Sequence, residues 1–189
     1  YKIKMQVGSL SLFIGPMYSM KTTQLIKSIK NYNSSERLIV KHIADDRYGS
    51  GNQYIATHDG TNIPSVSYQT LEEFVSDNIN HLVNKKIKAV FIDEGQFFGD
   101  LYNSVYDLVN LYHKNVYVAG LDGDYKRNQF GDILKLIPEA DYITKLTSKC
   151  YICNNPAPFT KRLNDENDNQ IIVGGNELYQ PSCREHHTN

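Results

Sequence analysis

The chain has 189 residues, 40% hydrophobic and 22% charged, a composition that suits a folded globular domain of ordinary size and excludes wholesale disorder. Its formal charge of −1 at pH 7 leaves no electrostatic footprint for duplex nucleic acid, so no nucleic-acid partner is expected, although a small anionic ligand needs only a local site. No apolar run approaches the roughly 20 residues of a membrane span, and no basic-then-apolar leader is present, so neither a membrane nor export is expected.

Leu10 to Ile14 reads as a short buried strand closed by Gly15-Pro16. From Thr22 the apolar residues Leu25, Ile26, Ile29 and Tyr32 recur at helical spacing, so the first unit is strand, loop, helix. Arg37 to Lys41 is a second strand. The segment from Ala44 to Ser65, rich in Asp, Gly, Asn and Thr, reads as one long mobile loop. Thr70 followed by Glu73 has the form of a capping box, and Leu71, Phe74, Val75, Ile79, Leu82 and Val83 line one face of the helix it opens. Ala89 to Ile92 is a strand ending on Asp93-Glu94. Leu101, Val105, Leu108, Val109 and Tyr112 mark another helix, and Val116 to Ala119 another strand. This alternation predicts an α/β fold, a phosphate-loop core with a mainly parallel sheet flanked by helices. Ligands sit at the carboxyl ends of such strands, which places Gly15 and Asp93-Glu94 on the same side. Beyond Thr144 the character changes to a CxxC, a polar loop LNDENDNQ, a strand-like QIIVGG and a closing CREHH. The expected division is an α/β nucleotide-binding domain over 1–143 and a small lobe over 144–189 that needs a staple.

GPMYSMKTT follows the first strand and has Gly15, Lys21 and Thr22 where a phosphate-binding loop requires them. Backbone N–H groups of such a loop wrap phosphates at a helix N-terminus, the Lys adds charge, and the Thr hydroxyl binds Mg²⁺. Met20 stands where the last glycine belongs, in a conformation that costs a side-chain-bearing residue roughly 1–2 kcal/mol. On these residues alone an ordinary strand–turn–helix remains an alternative. AVFIDEGQFF weighs against it, because an apolar strand ending in two carboxylates supplies the second Mg²⁺ element of phosphate-loop enzymes. Asp93 would hold the metal and Glu94 would act as base on an incoming hydroxyl.

The cysteines, Cys150, Cys153 and Cys183, are odd in number and cluster late in the chain, which is poor material for a disulfide framework. Cys150-x-x-Cys153, then 29 residues, then Cys183-x-x-His186 gives four soft ligands in two close pairs, the pattern of a tetrahedral structural Zn²⁺ site. His187 is an alternative to His186. Four protein ligands leave no open position, so the metal is expected to be structural.

GPMYSMKTTQLI, DDRYGS, THD, VFIDEGQFF, LDGDYKRNQFGDI, TKLTSKCYIC, FTKRL, VGGNELYQPSC and CREH run in the order found in type II thymidine kinases. These are the cytosolic kinases of eukaryotic cells and large DNA viruses, and the chain resembles them from Leu10 to His186. The resemblance implies transfer of the ATP γ-phosphate to the 5′-hydroxyl of thymidine, a cytoplasmic location, a homotetramer and feedback inhibition by thymidine triphosphate. It makes Gly15, Pro16, Met17, Tyr18, Ser19, Met20, Lys21 and Thr22 the ATP loop, with Lys21 on the phosphates and Thr22 on Mg²⁺. Asp93 becomes the metal carboxylate and Glu94 the general base. Asp45 and Arg47 match a D-x-R whose Arg lies near the phosphates, and Gln96 belongs to the nucleotide-contacting DEGQ. Met17, Phe97, Leu121, Tyr125 and Phe130 match the thymidine pocket. Thr160, Gln170, Ile171, Ile172, Val173, Gly174 and Tyr179 match a lasso that closes over the nucleoside, largely through main-chain contacts. Cys150, Cys153, Cys183 and His186 match the zinc ligands.

Aromatic and Met walls suit a flat, weakly polar base, although without the resemblance Met17, Phe97 and Phe130 read as core. Tyr125 stands where Phe often follows LDG, and the loop from Asn164 to Asn169 is longer than usual. Two rival readings remain at this level. One is a silent nucleotide binder disabled by Met20; the other is a phosphate-loop ATPase whose zinc ribbon binds nucleic acid. The near-neutral charge weighs against the second. Within the family, acceptance of deoxyuridine or deoxycytidine stays open.

Overall fold

Alternating burial along strand β1 (Ser9–Ile14) sends Leu10, Leu12 and Ile14 to one face of a sheet and Phe13 to the other. The computed structural model of the chain describes residues 7–45, 53–56, 60–163, 169–172 and 174–188. Helix α1 (Lys21–Ile29) buries Leu25, Ile26 and Ile29, the face its spacing predicts. A turn over Ser34–Glu36 leads into β2 (Arg37–His42). The segment expected as one loop contains β3 (Tyr54–Ala56) and β4 (Asn62–Pro64), an antiparallel ribbon whose Ile55 and Ile63 pack into the core beneath α1. Three-residue strands are too short to show a period, so the surrounding Asp, Gly and Asn masked them.

After β5 (Val66–Tyr68) comes α2 (Leu71–Asp77), opened by the Thr70 hydroxyl accepting the Glu73 N–H at 3.2 Å. The Asp100 carboxylate accepts the next two orphan donors, the N–H groups of Leu71 and Glu72, at 3.2 and 2.7 Å. The expected single helical face is interrupted at Asn78, and a short α3 (Ile79–Val83) follows. The Asn78 side-chain amide donates to the Phe74 carbonyl at 2.8 Å, a local bond that competes with helix continuation. Leu71, Phe74 and Leu82 are buried, while Val83 stays exposed.

Strand β6 (Ala89–Asp93) is buried at every position, as a central parallel strand must be. Helix α4 (Leu101–Asn110), β7 (Asn115–Gly120), a 3-10 helix over Ile133–Glu139 and β8 (Tyr142–Lys145) complete the layered part. The strands form a six-stranded sheet in the order β5-β2-β6-β7-β1-β8, parallel throughout. Helix α1 and the ribbon cover one face; α2, α4 and the 3-10 helix cover the other. Strand β8 crosses the 143/144 position, and the Leu146 N–H donates to Ile14 O at 2.8 Å, so the layered part runs beyond residue 143.

The rest is built from two small antiparallel ribbons. β9 (Ser148–Lys149) pairs with β10 (Pro156–Ala157), and β11 (Phe159–Arg162) pairs with β12 (Tyr179–Ser182), before a short α5 (Arg184–Thr188). The QIIVGG segment, expected as strand-like, carries no strand among its described residues. Among the described residues no helix is long and apolar enough to cross a membrane.

Candidate active site

The loop after β1 is shaped by close approach. Gly15 has φ 151°, and a Cβ there would lie 2.4 Å from the Leu146 carbonyl oxygen, so only glycine fits. Tyr18 and Met20 take positive φ of 62° and 66°, the left-handed turns from which anion-binding concavities of successive N–H groups are made. Met20 therefore adopts the conformation a glycine would take there, with its side chain 58% exposed at the rim of the cleft. Ser19 Oγ and Lys21 Nζ both donate to the Pro16 carbonyl, at 2.8 and 2.7 Å, bracing the loop from inside. Met17 N–H donates to Thr160 Oγ1 at 3.0 Å, tying this loop to β11.

Met20 takes the left-handed conformation as part of the folded loop itself, so its cost is expected to fall on folding rather than on ligand binding. Met20→Gly is expected to change stability by no more than about 1 kcal/mol, since relieved strain is offset by glycine's greater unfolded-state entropy. ATP affinity should stay within about twofold by the same reasoning. Titration calorimetry with thermal melts checks this; a tenfold gain in ATP affinity would place the strain in the bound state instead.

At the end of β6 the Thr22 hydroxyl lies 3.3 and 3.2 Å from the two carboxylate oxygens of Asp93. A hydroxyl beside a buried carboxylate is a hard oxygen donor pair suited to Mg²⁺. Glu94 follows at φ 53°, nearly buried, and its carboxylate accepts the Gln96 amide N–H at 2.7 Å. The other end of that amide accepts the Leu121 N–H at 2.8 Å. Gln96, expected on the nucleotide, is buried and outside the cleft lining; its amide is taken up by Glu94 and Leu121. Gly131 permits this, because at φ 58° a Cβ would sit 2.2 Å from the Gln96 carbonyl oxygen.

One cleft, open to solvent, runs from this loop to the lobe. Its lining includes Met17, Tyr18, Ser19, Met20, Lys21, Thr22, Asp45 and Glu94 at one end, and Phe97, Leu121, Tyr125, Phe130, Thr160, Gln170, Ile171, Ile172, Gly174 and Tyr179 at the other. Gly15, Pro16 and Asp93 stand behind the wall. Arg47, Val173 and the loop 164–168 lie outside the described residues. Phe97 and Phe130 meet edge to face, with centroids 5.6 Å apart. His42 packs on Phe97 and Phe98, and burial pushes its pKa below the ordinary histidine value. A neutral ring is what the geometry requires, since His42 Nδ1 accepts the Ala44 N–H at 3.0 Å. Lys41, buried beside His42 on β2, donates to the Asp45 carbonyl at 3.3 Å and holds the turn that carries Asp45.

Three contributors escape sequence reading. Asp124 is buried and accepts the N–H groups of Lys126 and Asn128, each at 2.8 Å, and the Gln170 side-chain amide at 2.9 Å. Arg162 stacks on Tyr125, 3.6 Å from the ring centroid. His187, instead of joining the cysteines, directs Nε2 to the carbonyls of Tyr125 and Thr160 at 3.0 and 3.3 Å. A D-x-x-x-N pattern, where an Asp side chain caps its own loop, was the available signal for Asp124. For the other two the partners are too remote in sequence.

Cys150, Cys153, Cys183 and His186 converge with all four ligand atoms within 4.8 Å of one another. Cys153 Sγ and Cys183 Sγ are 3.8 Å apart, and His186 Nδ1 lies 3.2 Å from Cys183 Sγ and 3.6 Å from Cys150 Sγ. Ligands at about 2.3 Å for sulfur and about 2.1 Å for nitrogen around a tetrahedral centre give edges of about 3.5–3.8 Å, so the group is close to a zinc geometry and reaches it with small side-chain shifts. Burial resists ionisation of Cys150, but the N–H groups of Cys183, Cys153 and Ile152 and the His186 ring prevail, pulling its thiol down to about 5. A thiolate is the form that binds metal.

A family model described as Thymidine kinase matches residues 8–187. The chain is 41% identical over 179 residues to a thymidine kinase of Yaba monkey tumor virus (strain VR587), covering 94% of this chain and 93% of that one. It is 39% identical over 183 residues to a thymidine kinase of Oryza sativa subsp. japonica, covering 95% of this chain and 66% of the plant protein. To a thymidine kinase of Vaccinia virus (strain Ankara) it is 37% identical over 182 residues, covering 95% and 97%. With a phosphate loop facing a paired-acid strand end, an aromatic pocket beside it and this likeness over nearly its whole length, the chain belongs to the thymidine kinase family.

Proposed function

We propose that the chain is a nucleoside kinase that transfers the γ-phosphate of ATP to the 5′-hydroxyl of thymidine, giving thymidine monophosphate and ADP. The observation that carries this reading is a single cleft whose one end is the Gly15–Thr22 loop and whose other end is the aromatic pocket. Glu94 stands in the chain between Asp93, on the phosphate side, and Phe97, on the base side. The loop N–H groups and Lys21 would hold the triphosphate and stabilise the charge that builds on the transferring group. Glu94, aimed by Gln96, would take the 5′-proton as the oxygen attacks phosphorus and the bond to the β-phosphate bridging oxygen breaks. Thr22 and Asp93 are the residues that would hold Mg²⁺, which when bound neutralises phosphate charge.

The base would lie among Phe97, Phe130, Leu121 and Tyr125, beside Gln170, Ile171, Ile172 and Gly174. Thymidine triphosphate, carrying both a base and a triphosphate, spans the two ends of the same cleft and suits the role of feedback ligand. Zn²⁺ on Cys150, Cys153, Cys183 and His186 would be structural, with no ligand position left over. We infer a homotetramer and a cytoplasmic location from the likeness to the thymidine kinase family; the exposed edge strand β8, with Tyr142 and Ile143 outward, offers an edge at which two copies can pair. We place the boundary between core and lobe after Leu146. The silent reading finds no support, since the loop accommodates Met20.

The test is phosphoryl transfer from labelled ATP to thymidine, with deoxycytidine as competitor and Glu94→Ala as blank. Thymidine monophosphate absent from the blank is the expected product. No product, together with calorimetric binding of thymidine, would replace this reading with a silent binder.

A further inference from the structure

Behind the nucleoside end of the cleft sits a charged side chain that does not line it. Arg162 on β11 is buried, 4% exposed, and three of its contacts go to residues that do line the cleft. Its guanidinium lies 3.6 Å from the Tyr125 ring centroid. Its Nη2 donates to the Tyr179 hydroxyl at 2.9 Å and to the Gln170 carbonyl at 3.3 Å. The Tyr179 hydroxyl passes the bond on, donating to the Ile172 carbonyl at 2.8 Å. From the far side, the Gln170 amide donates to Asp124 at 2.9 Å, on the same loop as Tyr125.

One planar cation thus joins the loop bearing Tyr125, the strand bearing Tyr179 and the segment holding Gln170 and Ile172. We infer that Arg162 is a positioning residue for nucleoside recognition, setting the Tyr125 ring and the backbone of 170–172 at the separation a flat base requires. This rests on the proposed thymidine site and adds a residue that touches no substrate. A guanidinium can stack on one ring while its fork of N–H groups reaches two acceptors; an ammonium has no plane to stack and no fork. Burying such a charge is costly without these partners, so its contacts act as one unit. The phosphate end, built on α1 and β6, shares none of these Arg162 contacts. Losing them should therefore weaken thymidine and spare ATP.

The experiment compares KM for thymidine, KM for ATP and kcat in wild type, Arg162→Met, Arg162→Lys and Tyr179→Phe, with thermal melts alongside. Arg162→Met is expected to raise the thymidine KM by about tenfold or more, with the ATP KM within about twofold. Arg162→Lys should recover little of this. Tyr179→Phe, which keeps the ring and removes only the bridging hydroxyl, should raise the thymidine KM several-fold with an unchanged melt, and stays readable if Arg162→Met does not fold. Wild-type thymidine KM in both Tyr179→Phe and Arg162→Lys would overturn the inference while leaving the kinase reading intact. Parallel rises in both KM values with a lowered melt would make Arg162 a general stability residue and overturn it too. A wild-type protein that forms no thymidine monophosphate sinks the proposed function, and this inference with it.

Discussion

Replacing Glu94 with Gln should lower kcat by about 10²–10⁴-fold and leave thymidine affinity within about threefold. The substitution keeps side-chain volume and the left-handed backbone at this position, where φ is 53°. The Gln96 amide N–H that Glu94 now accepts at 2.7 Å can still donate to the new amide oxygen, so the side chain should stay in place. What disappears is the capacity to accept a proton from the attacking hydroxyl. Loss of rate without loss of binding is the signature of an interaction made in the transition state. Steady-state kinetics with equilibrium dialysis of thymidine measures both quantities. Turnover within about tenfold of wild type would show that the proton leaves by another route and that Glu94 is not the base. Gln96→Ala is the companion case: it frees Glu94 from its tether and should cost rate through misplacement, less than losing the carboxylate does.

The phosphate side of this site was legible because its signals are local. Gly15, Lys21 and Thr22 stand within one strand–loop–helix, and Asp93-Glu94 end a strand whose apolar run is continuous. The conformational demand on Met20 was also readable from position alone, and the structure places it at φ 66°. The buried strands β1, β2, β6 and β7 announced themselves by apolar runs, interrupted in β1 by Ser11. Elements that depend on tertiary partners did not. β3 and β4 exist because Ile55 and Ile63 find the α1 face, and edge strand β8 exists because β1 offers it a ladder. Its four residues are exposed, so no apolar pattern marks it. Arg162 and His187 have the same invisibility: a basic residue reads as surface until rings and carbonyls 8 to 62 positions away are brought around it.

Stripping the metal from the four-ligand group should unfold the lobe and abolish thymidine binding while ATP binding survives. The buried cluster of this lobe consists of Cys150, Cys183 and Ala157, with Cys153 against it, so most of the core is the ligand set itself. Apolar burial of that extent cannot offset the ordering entropy of the lobe, whereas structural zinc supplies about 10–16 kcal/mol of apparent binding free energy in small domains at neutral pH. The lobe contributes Thr160 and Tyr179 to the cleft, holds Met17 through Thr160, and braces Tyr125 through His187. The phosphate loop instead rests on β1, α1 and β6, which keep their own two-faced core. Chelation should therefore release zinc, open residues 151–188 to protease, and erase the calorimetric signal for thymidine but not for ATP. Cys183→Ser should reproduce the effect without chelator. A metal-free protein that resists cleavage and binds thymidine with unchanged affinity would show that the ribbons β9–β10 and β11–β12 hold without the ion. In that event Tyr151 N–H on Pro181 O and the Arg162 contacts would have to be the staple instead.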